Sequence, residues 1–335
     1  MVRVGLLGTG TMGRTHALAY SGIGGASVVA VMGRDALTAE DLAARVGARA
    51  YTDIDDMFDA ENLDVVDCCL LTPLHRFAVE KAAARGRHII CEKPLAATID
   101  DAQAMVRVCR AAGIHLLVAQ VVRFFPQYRA LADALREGRV GTPVTCTMLR
   151  QGSYPAGRDN WYRDESQCGG IFLDLMIHDF DWALSELGPA ERVYAQVVRR
   201  TGEKAFAQGT ATVRHRSGAL TQVTGTWGHP GTFTTMVEIA GSGGVLYTSS
   251  DDTTPLRVMA ATAQAHDTDV SLPDLSGGEN PYGTELAHFI DVIAGHAEPL
   301  VHPEESLAAV RLALTARLSA HTGHAERIED QEGAA

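Results

Sequence analysis

Between Arg3 and Val121 the chain alternates between two periodicities, and this alternation admits few folds. Short apolar or β-branched runs occur at Arg3–Leu7, Ser27–Met32, Val65–Leu71, His88–Cys91 and Ile114–Val121. Segments with helical spacing lie between them. The stretch Thr38–Gly47 opens with a capping-box spacing, Thr38 to Asp41, and stops at a glycine. Phe77–Gly86 also ends at glycine, and Thr98–Gly113 pairs Thr98 with Asp101 before its closing Gly113. Strand and helix repeated in this way predict parallel βαβ units with helices on both faces of the sheet. The strands read as continuous apolar runs, as strands covered on both sides should.

After about residue 123 the pattern changes. A helix follows Pro126, and then strand character dominates at Val144–Arg150, Arg192–Arg199, Ala211–His215, Leu220–Thr226, Thr232–Ala240 and Val245–Thr248. One helical segment, Gly170–Leu187, interrupts them, and two helices near Thr284–Ala294 and Pro303–His321 close the region. A chain of 335 residues exceeds what one core usually supports, so two domains are expected. The predicted division is an α/β doubly wound parallel domain over 1–122, an α+β domain with a mixed or antiparallel sheet over 123–323, and a frayed polar tail over 324–335.

Composition narrows the partners. A formal charge of -12 disfavours nucleic acid and anionic membranes, which call for basic surfaces. The strongest apolar runs are too short to span a bilayer. No basic, then apolar, leader pattern opens the chain, so a cytoplasmic location is expected. Six cysteines (Cys68, Cys69, Cys91, Cys109, Cys146 and Cys168) form no CxxC pair. They read as reduced, buried thiols, and no metal site is expected.

The stretch Gly8-Thr9-Gly10-Thr11-Met12-Gly13 follows the first predicted strand and opens a helix, which is the context a dinucleotide loop requires. The first glycine turns the chain, the second lets backbone approach a pyrophosphate, and the third lets helix and strand pack. The helix N-terminus then offers unpaired N–H groups to the phosphates. The second strand ends in Gly33-Arg34, where an NAD site usually carries an acid for the ribose hydroxyls. Gly33 removes the carboxylate that would repel a 2′-phosphate, and Arg34 can grip one, which favours NADP(H). The rival reading keeps NAD: Asp35 supplies the acid and Arg34 is merely solvated.

The fifth strand runs into Glu92-Lys93-Pro94. Ligands of open α/β sheets sit beyond the carboxyl ends of the strands, so Lys93 is placed to donate to a substrate oxygen or relay a proton. Pro94 restricts the lysine to extended conformations. In the second domain, Asp174, His178 and Asp181 fall on one face of a single helix at spacings of four and three. A histidine flanked by carboxylates suits proton transfer, although the same pattern also describes a satisfied core histidine.

The segments "GLLGTGTMGRTH", "CEKPLA", "RFFPQYRALADALREGRVGTP", "GGIFLDLMIHDFDWALSELG" and "VEIAGSGGVLYTSS" together resemble the Gfo/Idh/MocA oxidoreductases, over roughly residues 2–323. The resemblance implies an N-terminal Rossmann domain and a C-terminal domain with a large open sheet that often builds dimers or tetramers. It implies hydride exchange between a nicotinamide and a hydroxyl or keto carbon of a sugar, inositol or related polyol. Carried over by motif, Lys93, Asp174 and His178 are the catalytic residues, with His178 as base, Lys93 orienting the oxygen and Asp174 binding substrate. Leu71, Thr72, His75 and Glu92 join Lys93 on the cofactor side. Arg123, Trp161, Tyr162 and Arg163 fall where the family places substrate contacts, and each could equally be structural. One departure is visible: aligning His75 with the family histidine puts Leu70-Leu71 where Thr-Pro usually stands. Two other classes of protein use this scaffold, a non-catalytic cofactor-binding regulator and a biliverdin-reductase-like or imine reductase.

Overall fold

The computed structural model describes residues 1–155, 157–202, 205–250 and 280–329. The chain forms two compact units. The first holds Met1–Phe125 and takes the chain back for residues 277–307, while the second begins at Pro126 and resumes at Ala308. The sequence places a single crossing at 122/123. The helix Pro281–Ile293 accounts for the difference, because Leu286, Phe289, Ile290 and Val292 share one buried core with Ala17, Tyr20, Val28 and Val65.

The first unit is built on strands β1 (Val2–Leu7), β2 (Ala26–Met32), β3 (Arg49–Tyr51), β4 (Val65–Cys68), β5 (His88–Glu92) and β6 (Leu116–Ala119). They lie in the order β3-β2-β1-β4-β5-β6 and pair in parallel throughout. This is the expected doubly wound sheet, and its order reverses at β1 and β4, where such sheets take their ligands. β3 is too short to leave a sequence signal. β4 stops at Cys68 rather than Leu71, because the chain leaves the sheet into a 3-10 turn at Thr72–Leu74. Gly47 and Gly113 close their helices at φ 71° and 65°, left-handed values that glycine adopts without strain. Thr98 caps the last of these through Asp101 N at 3.1 Å. The helix Ala36–Val46 starts earlier than Thr38: Asp35 caps it by accepting from Thr38 N at 2.9 Å.

The second unit carries strands β7 (Pro143–Gln151), β8 (Ala190–Arg200), β9 (Phe206–His215), β10 (Leu220–Thr226), β11 (Thr234–Gly241), β12 (Gly244–Ser249) and β13 (Glu326–Arg327). Their order is β12-β11-β7-β10-β9-β8-β13, with β7 and β10 parallel and the other pairs antiparallel. β13 corrects the reading of the tail as free, since Glu326 and Arg327 pair with Val193 and Arg192. Residues 330–335 of that tail lie outside the described residues. Cross-strand register separates two faces. The row Leu246, Ile239, Cys146, Thr221, Val213 and Val193 is buried but for half-buried Leu246, whereas the row beside it, Tyr247, Glu238, Thr147, Gln222, Thr212 and Tyr194, is exposed but for Thr147.

The segment Gly170–Leu187 is not one helix. It breaks into Gly170–Asp174 and Ile177–Leu187, with Leu175 and Met176 at the break. Gly209 on β9 and Gly225 on β10 face each other in register, and Met176 packs into the hollow they leave. A Cβ at Gly225 would stand 2.5 Å from Met176 Cγ, and one at Gly209 would stand 3.0 Å from its sulfur. The missing side chains thus let the break sit close to the sheet, and they fix the height of Asp174 and His178, which flank it. Gly225→Ala is expected to destabilise the fold by about 1–3 kcal/mol through overpacking. Urea denaturation of the variant measures this directly.

Candidate functional site

The glycine loop is shaped by close backbone approaches that only glycine allows. Gly8 has φ 109°, and a Cβ there would strike the carbonyl of Cys69. A Cβ on Gly13 would strike the carbonyl of Gly8. Gly10 differs: nothing lies within 4 Å of where its Cβ would be, so its outer side is open to a ligand. The helix Thr11–Tyr20 starts there with no side-chain cap at Gly10. Its first-turn N–H groups therefore remain for an anion, as a dinucleotide pyrophosphate requires. Thr9 packs its methyl where a Cβ of Gly33 would stand, 2.7 Å away, and its hydroxyl lies 3.2 Å from the Thr38 hydroxyl. Gly33 is thus glycine partly so that the loop can pack on it, a reason the sequence alone does not reveal. Arg34 beside it is exposed, and Asp35 spends a carboxylate oxygen on its helix cap.

The turn after β5 is held on both sides by buried groups. Lys93 is half-buried, and its peptide bond to Pro94 is cis. Upstream, the buried Glu92 accepts the Lys93 N–H at 3.0 Å. Downstream, His75 Nδ1 lies 3.1 Å from the Pro94 carbonyl and 3.2 Å from that of Leu95, and its Nε2 lies 3.0 Å from the Leu70 carbonyl. Burial holds His75 below its ordinary pKa, against the upward pull of those carbonyls. His75 is thus a clamp joining the turn after β4 to the turn after β5. Thr72 is buried at the start of the 3-10 turn, while Leu71 is exposed.

Around Glu92 lies a cluster that the sequence reading passes over. His16 is fully buried, with Nδ1 donating to Asp67 Oδ2 at 2.9 Å and Nε2 lying 3.2 Å from Glu92 Oε1. The Tyr20 hydroxyl donates to the same Asp67 oxygen at 3.0 Å, and the Cys69 thiol donates to Oδ1 at 3.6 Å. Burial pulls the His16 pKa down, but the Asp67 carboxylate raises it further, and the balance lies well above 6.5. Burial and Asp67 push the Cys69 thiol up, so it stays protonated. The available signal was Asp67 itself, a charged residue inside the apolar run "VVDCC", since such residues are rarely buried without a partner.

In the second unit Asp174 ends one short helix and His178 opens the next, and both are half-buried. Asp181 is buried deeper in the second helix. The helix break means that the i, i+4 relation between Asp174 and His178 does not run along one continuous helix. The next residue, Asp179, forms a buried bidentate pair with Arg150 at 2.8 and 2.9 Å. Arg150 also donates to Tyr128 at 3.2 Å, and burial pushes that phenol up to about 12. The pair anchors the start of the helix that bears His178 to β7, and breaking such a pair costs more than forming it gains.

The remaining residues are placed as follows. Arg123 is buried and spends Nη1 on Glu305 at 3.2 Å and on the Leu300 carbonyl at 3.4 Å, so it fastens the segment that returns to the first unit. Tyr162 and Tyr154 stand edge-on to the buried Trp227 at 5.8 and 5.6 Å. Tyr154 also donates to the Tyr162 carbonyl at 3.0 Å. Trp161 is half-buried and Arg163 exposed on the same short segment.

Comparison with known proteins agrees with this geometry. Residues 2–120 match the model of the GFO_IDH_MocA oxidoreductase family with an NAD-binding Rossmann fold, and residues 128–247 match the GFO/IDH/MocA C-terminal domain. The 1,5-anhydro-D-fructose reductase of Ensifer adhaerens is 30% identical over 98% of this chain and 99% of its own. Inositol 2-dehydrogenase of Rhizobium meliloti is 29% identical over 93% of this chain and 94% of its own. The crystal structure of GenD2 from gentamicin A biosynthesis, in complex with NAD, superposes with a TM-score of 0.86 at 22% identity, covering 98% and 97% of the two chains, a likeness that shows the fold. Among the described residues no helix is long and apolar enough to cross a membrane. The chain belongs to the Gfo/Idh/MocA oxidoreductase family.

Proposed function

We propose that the protein oxidises a hydroxyl-bearing carbon of a sugar, inositol or related polyol, or reduces the matching ketone, with NADP(H) as the preferred cofactor. The observation that carries this reading is Lys93, half-buried after the carboxyl end of β5 in the same parallel sheet that bears the open dinucleotide loop, in a chain that also carries Asp174 and His178. When bound, the nicotinamide supplies the hydride acceptor, or the donor in the reverse direction. In oxidation the substrate loses a hydride from carbon and a proton from oxygen. His178 takes the proton at an imidazole nitrogen, Lys93 donates a hydrogen bond to the oxygen as charge develops there, and Asp174 binds the substrate. Trp161, Tyr162 and Arg163 are proposed substrate contacts, while the ion pair at Arg123 favours a structural duty for that residue.

The preference for NADP(H) rests on the exposed Arg34 and on Gly33, which puts no carboxylate directly after β2, while Asp35 spends Oδ1 on its helix cap. The named relatives act on sugar-like substrates as dehydrogenases or reductases, which favours an enzyme over a cofactor-binding regulator. The negative charge and six free cysteines fit a small-molecule enzyme of the cytoplasm. The exposed face of the second sheet carries large apolar side chains at both ends, Tyr194 and Val198 on β8 and Val245 and Tyr247 on β12, a broad face that suits a homo-oligomer.

Lys93→Ala and His178→Ala are each expected to lower kcat by about 10²- to 10⁴-fold on a polyol or keto-sugar panel. Dinucleotide binding, read by tryptophan fluorescence, should survive in both, and full turnover in both variants would refute the assignment. Arg34→Ala should weaken NADP(H) about 10- to 100-fold and leave NAD(H) nearly unchanged. Isothermal titration with each cofactor measures this, and a wild-type preference for NAD(H) would overturn the reading of Arg34. Light scattering should give a dimer or tetramer mass, which Tyr247→Asp on the open face should lower.

A further inference from the structure

Beneath the dinucleotide loop one imidazole touches three parts of the Rossmann unit. His16 comes from the helix Thr11–Tyr20, Asp67 from β4 and Glu92 from β5. Nδ1 of His16 lies 2.9 Å from Asp67, Nε2 lies 3.2 Å from Glu92, and the other Glu92 oxygen accepts the Lys93 N–H at 3.0 Å. No solvent reaches the His16 or Asp67 side chains.

We propose that His16 is a positioning residue for Lys93: held on Asp67, it fixes the Glu92 carboxylate, which fixes the backbone from which the lysine projects. The same imidazole ties that backbone to the helix whose N-terminus borders the open side of Gly10. The turn that presents Lys93 and the helix end that receives an anion are therefore joined through one ring. The inference deepens the proposed function and rests on its assignment of Lys93 to the active centre.

Electrostatics supports this role. The groups facing His16 are Asp67, Cys69 and Glu92. Tyr20 reaches the cluster through Asp67, and Glu285, on the returning helix Pro281–Ile293, acts in turn on Tyr20. A cation between two buried carboxylates offsets the repulsion between them. His16 supplies it, since its pKa in the fold lies well above 6.5. Without that cation Glu92 loses the charge that faces Oε1, while its other oxygen still carries the duty on Lys93 N. A raised value also sets the sign of the pH dependence. The stability His16 contributes is complete below about 6.5 and disappears as pH climbs through the higher folded value.

The test uses the whole protein and His16→Phe, which keeps ring volume without nitrogen, alongside His16→Gln, which keeps one donor. The lysines of the chain are Lys81, Lys93 and Lys204, so acylation by a succinimidyl acetate can be read at each by peptide mapping. Lys81, paired with Asp55 at 2.6 Å, serves as the internal reference. His16→Phe should move the Lys93-to-Lys81 labelling ratio by about threefold or more and change its pH profile, with partial recovery in His16→Gln. On the best substrate kcat should fall about 10- to 100-fold while KM changes little. Glu92→Gln should reproduce the shift, and the His16→Gln/Glu92→Gln double variant should be no worse than Glu92→Gln alone. An unchanged labelling ratio and pH profile in folded His16→Phe, or additive losses in the double variant, would overturn the proposal. If His16→Phe fails to fold, the comparison of His16→Gln, Glu92→Gln and their combination decides on the same readouts. Labelling needs no turnover, so a shifted ratio in a protein whose Lys93→Ala variant stays fully active would refute the catalytic assignment and leave the positioning intact.

Discussion

Three backbone segments meet at Gly8, Gly13 and Cys69, and they can do so only because two of the three residues have no side chain. The carbonyl of Cys69 occupies the place of a Gly8 Cβ, and the carbonyl of Gly8 occupies that of a Gly13 Cβ. This contact locks the loop after β1 to the end of β4 at the point where strand order reverses. It also aims the helix Thr11–Tyr20 so that its open end follows Gly10 while its second and third turns carry His16 and Tyr20 into the interior. The dinucleotide loop and the buried charge cluster are thus consequences of one close approach. A side chain at Gly8 or Gly13 would disturb both.

Much of this was legible in the sequence, for a definite physical reason. Strand and helix impose different periods on apolar residues, and glycine marks the helix ends, so β1, β2, β4, β5 and β6 and the helices between them leave local signals. The Gly-x-Gly-x-x-Gly loop and Lys93 are legible because their chemistry depends on position relative to such elements. What escaped depends on tertiary partners. The helix Pro281–Ile293 has ordinary amphipathic character, and nothing in it announces that Phe289 and Ile290 belong to a core with Ala17, Tyr20, Val28 and Val65, more than 200 residues earlier in the chain. The break at Leu175–Met176 is set by Gly209 and Gly225 on distant strands, so the segment Gly170–Leu187 reads as one helix until the sheet is known.

The site residues show the same division. Lys93 and the glycines are visible one at a time, whereas His16 and Asp179 acquire meaning only with their partners. His16 sits three residues beyond Gly13 and looks like any polar residue on a helix. Asp179 hides beside His178 and Asp181 in a run of acidic positions, yet it alone is shown gripping Arg150 with both oxygens. Gly33 carries two meanings at once. It clears space for the Thr9 methyl, and it is also the position on which the proposed choice of cofactor turns, so packing and the proposed cofactor preference place the same demand on one residue.

Each unit uses a buried ion pair for a similar purpose. Around Lys93 the cation is an imidazolium shared by two carboxylates, and around His178 it is a guanidinium gripped by one. Burying such charges gives little net stability, because desolvation offsets most of the attraction. What they give is direction: the bidentate bonds of Arg150 to Asp179, and the hydrogen bond of His16 to Asp67, tolerate less angular freedom than apolar packing does. Proton and hydride transfer require atoms held to within a fraction of an ångström, which apolar contacts alone do not secure. The two pairs stand one residue from Lys93 and one residue from His178, which is where a fold has most reason to bury charge if, as proposed, those two side chains are the reactive ones.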